Sequence, residues 1–388
     1  MDPKTLSKYI SENKCTILAV GPISKNCVDA VIELSQEHDV PIILIASRNQ
    51  IDSEEFGGGY VNNWTTESFS RYVRNKDKTG KVFLARDHGG PWQNKNEEER
   101  GLSLTDAMDS AKKSYKADID AGFKFLHIDP SIDIHDNPSV DQILNRIFEL
   151  YEYCMTYSAR QGKEIIIEIG TEEQSGFLNS NDDLHYVLNK VKAYCGENKF
   201  PEPSFVVVQT GTKVKEMENI GRFEKMMLNE NSENQLRKNI SDIVAICNEA
   251  GIMMKTHNMD YLNQQALNMH ASLGIHAANV APEFGVTETK TLLSILNEYS
   301  MTELADRFTA LSYESEKWKK WMLEDSNASD FDRSVISGHY VFATEECKQI
   351  KKEASEKIGN KGMQLEEILK DAVKRQITRY LKGFRVID

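Results

Sequence analysis

Short runs of apolar, largely β-branched residues recur along the first 280 residues, separated by segments with the periodicity of amphipathic helices. Nearly continuous apolar runs are typical of parallel strands that are covered on both faces. The pattern predicts strands at 15–22, 41–47, 81–88, 123–130, 164–172, 205–212, 251–257 and 274–282. The clearest helices are predicted at 26–38, 66–76, 103–121, 138–161, 233–250, 261–272 and 286–299. Eight such alternations favour an α/β fold of the (β/α)8 TIM-barrel type, with a doubly wound open sheet as the alternative.

The distribution of polar residues favours the barrel over the open sheet. Nearly every predicted strand begins apolar and ends in Asp, His, Glu, Gln or Asn. In a barrel these side chains would gather at one rim, which is where barrel active sites lie. After about residue 300 the pattern changes to charged helical segments such as 345–357 and 362–382. We therefore expect a barrel over 1–300 and a helical C-terminal extension packed on it over 301–388.

Composition and charge exclude several classes of protein. The chain has 388 residues, 40% of them hydrophobic, which is enough for a large core and excludes a mostly disordered chain. Its net charge of −13 argues against nucleic-acid binding and against attachment to anionic membranes. No apolar stretch approaches the roughly 20 residues that span a bilayer, and the first 14 residues lack a secretion signal. Six widely spaced cysteines without a CxxC pair indicate a reducing compartment, so a cytoplasmic location is expected.

The strand ends carry a candidate metal site. Parity along strand 3 predicts that Arg86 and His88 share a face, with Asp87 at the turn into the loop. If the barrel is right, His88, His257 and Glu172 converge from separate strands. Two imidazoles and a carboxylate can bind a divalent metal and leave one position open for substrate. Such a metal acts as a Lewis acid on a carbonyl or enediolate oxygen, and Asp87 would be placed for proton transfer.

Other polar residues have two interpretations. His127, His270 and His276 are interpreted as hydrogen-bonded core or rim histidines, because a lone histidine at such a position is more often structural. Glu168 lies deeper in its strand, where a carboxylate must be paired or bound, so it is either a metal ligand or a supporting residue. The glycine-rich segment 51–63 is either a phosphate or substrate loop or a plain flexible loop.

Several motifs resemble those of a known superfamily. LARDHGGPWQ (84–93) and NVAPEFGVTET (279–289) resemble segments of the class II, metal-dependent ketose-bisphosphate aldolases. A closer resemblance is to the so-called non-catalytic subunit of tagatose-bisphosphate aldolase and to related sugar 4-epimerases on the same barrel. The motifs that follow this family's order are SRNQI, FGGGY, DHGGPW, HIDPS, IGTEE, VVVQTG, THNMDY, WKKWM and HYVF. The resemblance therefore extends over almost the whole chain.

The resemblance implies roles for individual residues. The implied metal ligands are His88, His257 and Glu172, with Gln209 as a further candidate, and the implied metal is Zn²⁺, with Mn²⁺ or Co²⁺ as alternatives. Asp87 is the implied acid/base residue, and Glu172 takes that role if it is not a ligand. The implied substrate contacts are Asn49, Asp129, Gly211, Asp260 and Asn279.

Two departures from true class II aldolases put bisphosphate cleavage in doubt. Those enzymes have a third metal-binding histidine after a Gly-Thr pair, whereas here Gly211 and Thr212 are followed by Lys213. The amide of Gln209 is a weaker zinc ligand than an imidazole. Pro282, which has no N–H to donate, also stands where a hydroxyl residue is expected in the phosphate-binding pattern.

The function that we predict is that of a metal-dependent aldolase-type enzyme acting on a ketose or ketose phosphate. It would cleave the C3–C4 bond reversibly through a metal-bound enediolate, or epimerise C4 by the same chemistry. The alternative is a non-catalytic accessory subunit of a tagatose-bisphosphate aldolase. A weaker reading is a sugar isomerase that uses His127 or Glu168 as its base. The expected partners are a small sugar or sugar phosphate and either a second copy of the chain or an aldolase subunit.

Overall fold

The computed structural model describes residues 3–170 and 180–388. Its strands are β1 Ile17–Val20, β2 Ile42–Ser47, β3 Val82–Gly89, β4 Phe125–Ile128, β5 Ile166–Ile169, β6 Phe205–Val207, β7 Val214–Lys215, β8 Glu218–Asn219, β9 Met253–Thr256 and β10 Ala277–Val280. Eight of them pair in parallel and close into a barrel in the order β1-β10-β9-β6-β5-β4-β3-β2, while β7 and β8 form a separate hairpin. The predicted (β/α)8 barrel is confirmed, and the open sheet is excluded.

Helices alternate with the barrel strands and continue beyond them. Their bounds are α1 Pro3–Asn13, α2 Lys25–His38, α3 Thr66–Lys76, α4 Lys95–Glu99, α5 Leu104–Ala121, α6 Val140–Arg160, α7 Asn181–Asn198, α8 Arg222–Met226, α9 Glu230–Ala250, α10 Gln264–Ser272, α11 Pro282–Glu298, α12 Thr302–Glu314, α13 Asp330–Val341, α14 Glu345–Gly359 and α15 Leu365–Gly383. Helix α7 was absent from the sequence prediction. Its buried Leu184, Val187, Leu188 and Val191 have the helical spacing that would have revealed it.

Local sequence explains how the elements begin and why the strands are so apolar. The side chain of Thr65 accepts a hydrogen bond from the Ser68 amide, and the Ser68 side chain accepts one from the Thr65 amide, so a capping box starts α3. All four residues of β1 are fully buried. Adjacent β1 residues point to opposite faces, so both faces are covered: one by the barrel interior and the other by helices. A continuous apolar run is therefore required at each strand.

The C-terminal helices pack partly against one another and partly against the barrel. Apolar residues of α11 to α14 and the start of α15 pack into their own cluster, whose fully buried members include Leu296, Phe308 and Ile350. The second half of α15 joins the main barrel cluster through residues that include Ile377 and Tyr380. This packing brings 315–321 and 339–340 to the barrel mouth. None of the helices in the described ranges has the length and apolarity that crossing a membrane requires.

The prediction that Arg86 and His88 share a face of strand 3 is wrong. Arg86 points outward to α5, where its Nε and Nη2 donate to Asp118 at 2.8 and 2.6 Å. The pairing of β3 with β4 shifts register between Arg86 and Gly89, and His88 has a φ of 42°. A bulge of this kind reverses the alternation of side chains. His88 therefore faces inward, next to Asp87, although parity places it outside.

Removing the carboxylate that neutralises Arg86 is expected to destabilise the barrel. Both side chains of the Arg86–Asp118 pair are fully buried, so Asp118→Ala leaves an unpaired charge in the interior. We expect a loss of about 3–5 kcal/mol in the free energy of unfolding, measured by urea denaturation. Asp120→Ala is the matched control on α5, because the exposed Asp120–Lys116 pair should contribute less than about 1 kcal/mol. Similar losses for the two variants would contradict this reading of the pair.

Candidate metal site at the barrel mouth

A cavity of about 940 Å³ opens at the C-terminal ends of the barrel strands. We call it the mouth cavity. Its wall includes Asp87, His88, His257 and Asn279 from the strand ends, together with the glycine loop 57–59. The remaining wall comes from the C-terminal region and includes Lys317, Lys319, Lys320, Trp321, His339 and Tyr340. Strand ends therefore supply the reactive side chains, and the extension supplies a basic and aromatic rim.

Three imidazoles meet beside this cavity. The ring centroids of His88 and His257 lie 4.8 Å apart, so the two histidines predicted as ligands are neighbours. The His127 ring lies 5.2 Å from His88 and 5.3 Å from His257. The sequence interpretation treated His127 as a core or rim residue. No local sequence signal reveals its place in this site, because its pairing with Glu168 on the next strand arises only when the sheet closes.

The Asp-His-Gly-Gly turn at 87–90 is shaped by its contacts. A positive φ is uncommon for a residue other than glycine, and at His88 it is the conformation that turns the imidazole inward. His88 Nδ1 lies 2.6 Å from Asp129 Oδ2. A Cβ at position 90 would lie 2.4 Å from the backbone oxygen of Asp129, so the chain can pass there only as Gly90. The close approach fixes the His88 ring against the Asp129 carboxylate.

Both carboxylate oxygens of Asp129 are engaged by neighbouring groups of the protein. Its Oδ1 accepts hydrogen bonds from the hydroxyl and the amide of Ser131 at 2.5 and 3.3 Å, and its Oδ2 is held by His88. The structure therefore places Asp129 as a carboxylate that orients an imidazole. Metal-ligating histidines commonly have such a partner on their second ring nitrogen. The predicted contact of Asp129 with substrate stays a prediction.

Charges at Asp87 and His88 are strongly coupled. Burial alone would raise the pKa of Asp87, but the charge of His88 and the hydrogen bond of His127 lower it below its usual range. Burial would lower the pKa of His88, whereas Asp87 and Asp129 raise it to about 9. Asn279 Nδ2 donates to Asp87 Oδ1 at 3.1 Å and orients the carboxylate. The carboxylates that attract a proton to His88 would equally attract a metal cation.

A second charged group lies deeper in the barrel. Lys255 Nζ donates to Glu168 Oε2 at 2.7 Å, and both side chains are buried. Although burial opposes ionisation, Lys255 and His127 lower the pKa of Glu168 to about 2. Burial lowers the pKa of His257 to about 4, so its ring is neutral at pH 7 and carries a nitrogen lone pair. Glu168 Oε1 lies 3.6 Å from His257 Nε2.

These side chains fit a divalent metal. Two sets of potential ligand atoms lie within 4.8 Å of one another, Asp87 with His88 and His257, and His127 with Glu168 and His257. His257 Nε2 and Glu168 Oε1 are buried and have no hydrogen-bond partner among the described residues. Buried polar atoms without partners are rare, and imidazole nitrogens with carboxylate oxygens form a typical zinc donor set. His257 belongs to both sets.

The structure gives no ligand distance for two of the predicted metal ligands, Glu172 and Gln209. Glu172 lies outside the described residues, so its roles as ligand and as catalytic residue stay predictions. Gln209 is buried just beyond the end of β6, and no ligand distance tests its role. Gly211, a predicted substrate contact, has a φ of 83°, and its oxygen accepts a hydrogen bond from the Phe223 amide.

The remaining predicted substrate contacts lie in the cavity wall, but two are engaged with the protein itself. Asn49 Oδ1 accepts from the Lys95 amide at 2.9 Å, and its Nδ2 donates to the Gln93 oxygen at 3.1 Å. Asp260 Oδ1 accepts from the amides of Ala281 and Glu283, both at 2.9 Å. These bonds hold the loop of Asp260 against the start of α11. Burial and Glu283 raise the pKa of Asp260 to about 7.

Comparison with known proteins gives a family match over part of the chain and a shared fold over most of it. Residues 4–182 match the model of a family described as D-tagatose-1,6-bisphosphate aldolase subunit GatZ/KbaZ-like. A probable tagatose 6 phosphate kinase from Sinorhizobium meliloti 1021 is 18% identical, with a TM-score of 0.73 over 95% of this chain and 100% of that one. The fructuronate-tagaturonate epimerase UxaE from Cohnella laeviribosi is 11% identical, with a TM-score of 0.59 over 95% and 81%. The fructose-bisphosphate aldolase from Campylobacter jejuni is 14% identical, with a TM-score of 0.53 over 100% and 96%.

The structural matches have low identities and show a shared fold, whereas the family match rests on the sequence itself. The matched segment contains the loop 51–63, the Asp-His-Gly-Gly turn and the β4 end with His127 and Asp129. Over residues 4–182 the chain is therefore similar to the family described as D-tagatose-1,6-bisphosphate aldolase subunit GatZ/KbaZ-like, and the resemblance carried by its motifs is confirmed for this part of the chain.

Proposed function

We propose that this chain is a metal-dependent enzyme that cleaves and re-forms the C3–C4 bond of a ketose, with aldol cleavage or 4-epimerisation as the outcome. The observation that carries the proposal is the meeting of His88 and His257 with Asp87 at the mouth cavity. The family description, which names a D-tagatose-1,6-bisphosphate aldolase subunit, supports a sugar of this class.

The residues proposed to hold the metal are His88 and His257, with a carboxylate from Glu168 or Glu172 and Gln209 as a further candidate. Asp129 would fix the His88 ring through its 2.6 Å contact. When bound, the metal would supply Lewis-acid polarisation of the ketose carbonyl oxygen. We propose Zn²⁺, because two imidazoles with a carboxylate are a common catalytic zinc set.

Asp87 is proposed to move the proton in this reaction. Its lowered pKa keeps the carboxylate ionised at neutral pH, and the amide of Asn279 holds its orientation. The carboxylate would accept the C4 hydroxyl proton while the C3–C4 bond breaks and a C4 aldehyde forms. The bonding electrons pass to the C1–C3 fragment. Returning them to the same face of the aldehyde restores the substrate, and returning them to the opposite face gives the 4-epimer.

Lysines at the mouth cavity support an anionic substrate. Lys317 is half-buried and makes no ion pair with any residue in the described ranges. Lys95, Lys317 and Lys320 line the same cavity, and burial together with the charges of Lys95 and Lys320 lowers the pKa of the Lys317 ammonium group. A phosphate or carboxylate on the sugar would relieve this repulsion. Lys319, by contrast, is already paired with Glu316 at 2.6 Å.

Lys317→Ala is expected to raise KM for a ketose phosphate by at least about tenfold, because it removes a charge-assisted contact. We expect kcat to change much less, since the lysine lies at the rim and not at the reacting carbons. The check is steady-state kinetics with a phosphorylated ketose and its unphosphorylated counterpart. Lys319→Ala is the control and should leave KM within about twofold. An unchanged KM in Lys317→Ala would show that Lys317 at the cavity rim takes no part in substrate binding.

The proposed activity is tested by a screen of ketose phosphates, free ketoses and keto sugar acids with metal-loaded protein. Triose products would identify cleavage, and new sugars of unchanged mass would identify epimerisation. Both activities should disappear after chelation and return when Zn²⁺ or Mn²⁺ is added. Turnover that survives complete chelation would contradict the metal-dependent proposal.

A second proposal is that the chain acts as an accessory subunit, because the matching family is described as an aldolase subunit. This role requires no metal and no unpartnered donor atoms at the barrel mouth. It predicts a stable complex with a catalytic aldolase whose activity falls when this chain is withdrawn. Co-purification followed by separation of the two chains tests it.

A further inference from the structure

A second cavity lies beside the mouth cavity and takes no part in the proposed reaction. We call it the side cavity. It has a volume of about 340 Å³ and lies between the N-terminus of α2 and the helices α13 and α14. Its charged lining consists of Lys25, Lys348, Lys351, Lys352, Glu288 and Glu366. Four lysines against two glutamates give this lining a charge of +2, in a chain whose net charge is −13.

The two carboxylates are matched within the protein. Glu288 accepts hydrogen bonds from Ser24 and from Asn26 Nδ2, and Lys351 Nζ lies 3.6 Å from its Oε1. Glu366 Oε2 accepts from Asn26 Nδ2 at 2.7 Å and lies 3.3 Å from Lys351 Nζ. These bonds form a polar floor whose charges are largely neutralised. The remaining lysines therefore dominate the entrance.

The entrance lysines differ in how far they are engaged. Lys25 pairs with the buried Asp29 at 3.1 Å, whereas Lys348 pairs with the exposed Glu345 at 2.7 Å, in both cases within one helix. Lys352 is exposed and has no ion-pair partner in the parts of the chain that the structure describes. An exposed pair such as Lys348–Glu345 is weak and is readily exchanged for a stronger anion. Lys352 and Lys348, one turn apart on α14, can therefore contact the same anion.

His339 gives the independent indication that a ligand binds here. It is 2% exposed, and neither ring nitrogen has a hydrogen-bond partner among the described residues. Burial and the charge of Lys320 lower its pKa to about 3, so at pH 7 it offers one N–H donor and one acceptor. His339 and Tyr60 line both the side cavity and the mouth cavity. A buried imidazole without partners on a cavity wall calls for a ligand that can bond to it.

We propose that the side cavity binds a phosphorylated small metabolite, with its phosphate against Lys352 and Lys348 and a hydrogen bond to His339. A volume of about 340 Å³ is at the lower end of small-molecule sites and suits a sugar monophosphate. Because His339 and Tyr60 form part of both walls, this ligand would contact two side chains that also face the sugar in the mouth cavity.

The test is isothermal titration of the intact chain with glucose 6-phosphate and, separately, with inorganic phosphate. We expect glucose 6-phosphate to bind more tightly, and Lys352→Glu to weaken it by at least about tenfold. Lys357→Glu is the matched control, since Lys357 is exposed on α14 but outside the cavity lining. The affinity of this variant for glucose 6-phosphate should stay within about twofold of that of the unmodified chain. His339→Phe should weaken binding as well, because it removes both ring nitrogens.

Three results would overturn the proposal. The first is wild-type affinity in Lys352→Glu. The second is equal affinity for the two probes, which would reduce the cavity to a simple anion site. The third is loss of binding in Lys317→Glu with retention in Lys352→Glu, which would assign the phosphate to the mouth cavity. The titration needs neither metal nor turnover, so this proposal and the proposed enzymatic function fail separately.

Discussion

Replacing His257 with alanine is expected to remove the bound divalent metal and to abolish turnover. His257 belongs to both sets of potential ligands at the barrel mouth, and its buried Nε2 has no partner among the described residues. No other imidazole can take its place in both sets. We expect the metal affinity to fall by at least about 100-fold, since even residues that only support a ligand change affinity by 10- to 100-fold. The check is metal content by mass spectrometry after loading and desalting.

Two further variants separate the ligand sets. If His88 is a ligand, His88→Ala should lose metal as His257→Ala does. His127→Ala should retain most of it if the metal is held by Asp87, His88 and His257, and should lose it if the metal is held by the deeper set, because the buried Nε2 of His127 has no partner among the described residues. The control is His185→Ala, which removes an exposed histidine of α7 that is not part of the mouth cavity lining. Full metal content in both His88→Ala and His257→Ala would contradict the assigned site.

The change of Asp87 to asparagine is expected to lower kcat by about 10²- to 10⁴-fold while the metal stays bound. The amide has the size of the carboxylate, and its oxygen can still accept the hydrogen bond from Asn279. It cannot accept the C4 hydroxyl proton. The measurement pairs steady-state kinetics on the sugar found in the screen with the metal content of the same sample.

The outcome also separates two roles of Asp87, which is one of the potential ligands as well as the proposed acid/base residue. Loss of turnover with full metal content supports proton transfer. Loss of both would make Asp87 a ligand, and unchanged turnover would remove it from the mechanism. Asp129→Asn is a useful comparison, because it should act through the orientation of His88 and reduce metal affinity by about 10- to 100-fold.

The barrel could be predicted from the sequence because each strand is buried on both faces. A run such as that of β1 has no polar position, and this requirement appears directly as a continuous apolar segment. The helices that pack by one face were found where their periodicity was strong. Helix α7 was missed although its buried positions have the same spacing.

The candidate site was only partly predictable. His88 and His257 lie at strand ends, and closing the barrel brings them together as expected. The alternation of side chains along β3 gave the wrong direction for His88, because a bulge and a positive φ turn this residue inward. Both features depend on tertiary contacts with β4. His127 was set aside because a lone histidine in a strand does not reveal that two others face it. The approach of the three rings is a property of the closed sheet.

The basic rim could not be predicted at all. In the lining of the mouth cavity, the segment that holds Lys317 and Lys320 begins at Ser315, which lies 33 residues after Pro282 at the start of α11. They reach the mouth only because α15 packs into the barrel cluster and the preceding helices pack on α11. Charged helical segments in a sequence are usually solvated surfaces. Long-range packing, which has no local pattern, decides that these lysines face a cavity.

X-ray absorption spectroscopy of the zinc-loaded chain tests the central claim most directly. Imidazole rings give a characteristic outer-shell signal, so the spectrum counts histidine ligands. We predict at least two imidazole nitrogens at about 2.0–2.1 Å with the remaining ligands oxygen, and loss of one imidazole in any zinc that His257→Ala retains. A spectrum with oxygen ligands alone, or one that is identical in His257→Ala, would contradict a metal held by the histidines of the barrel mouth.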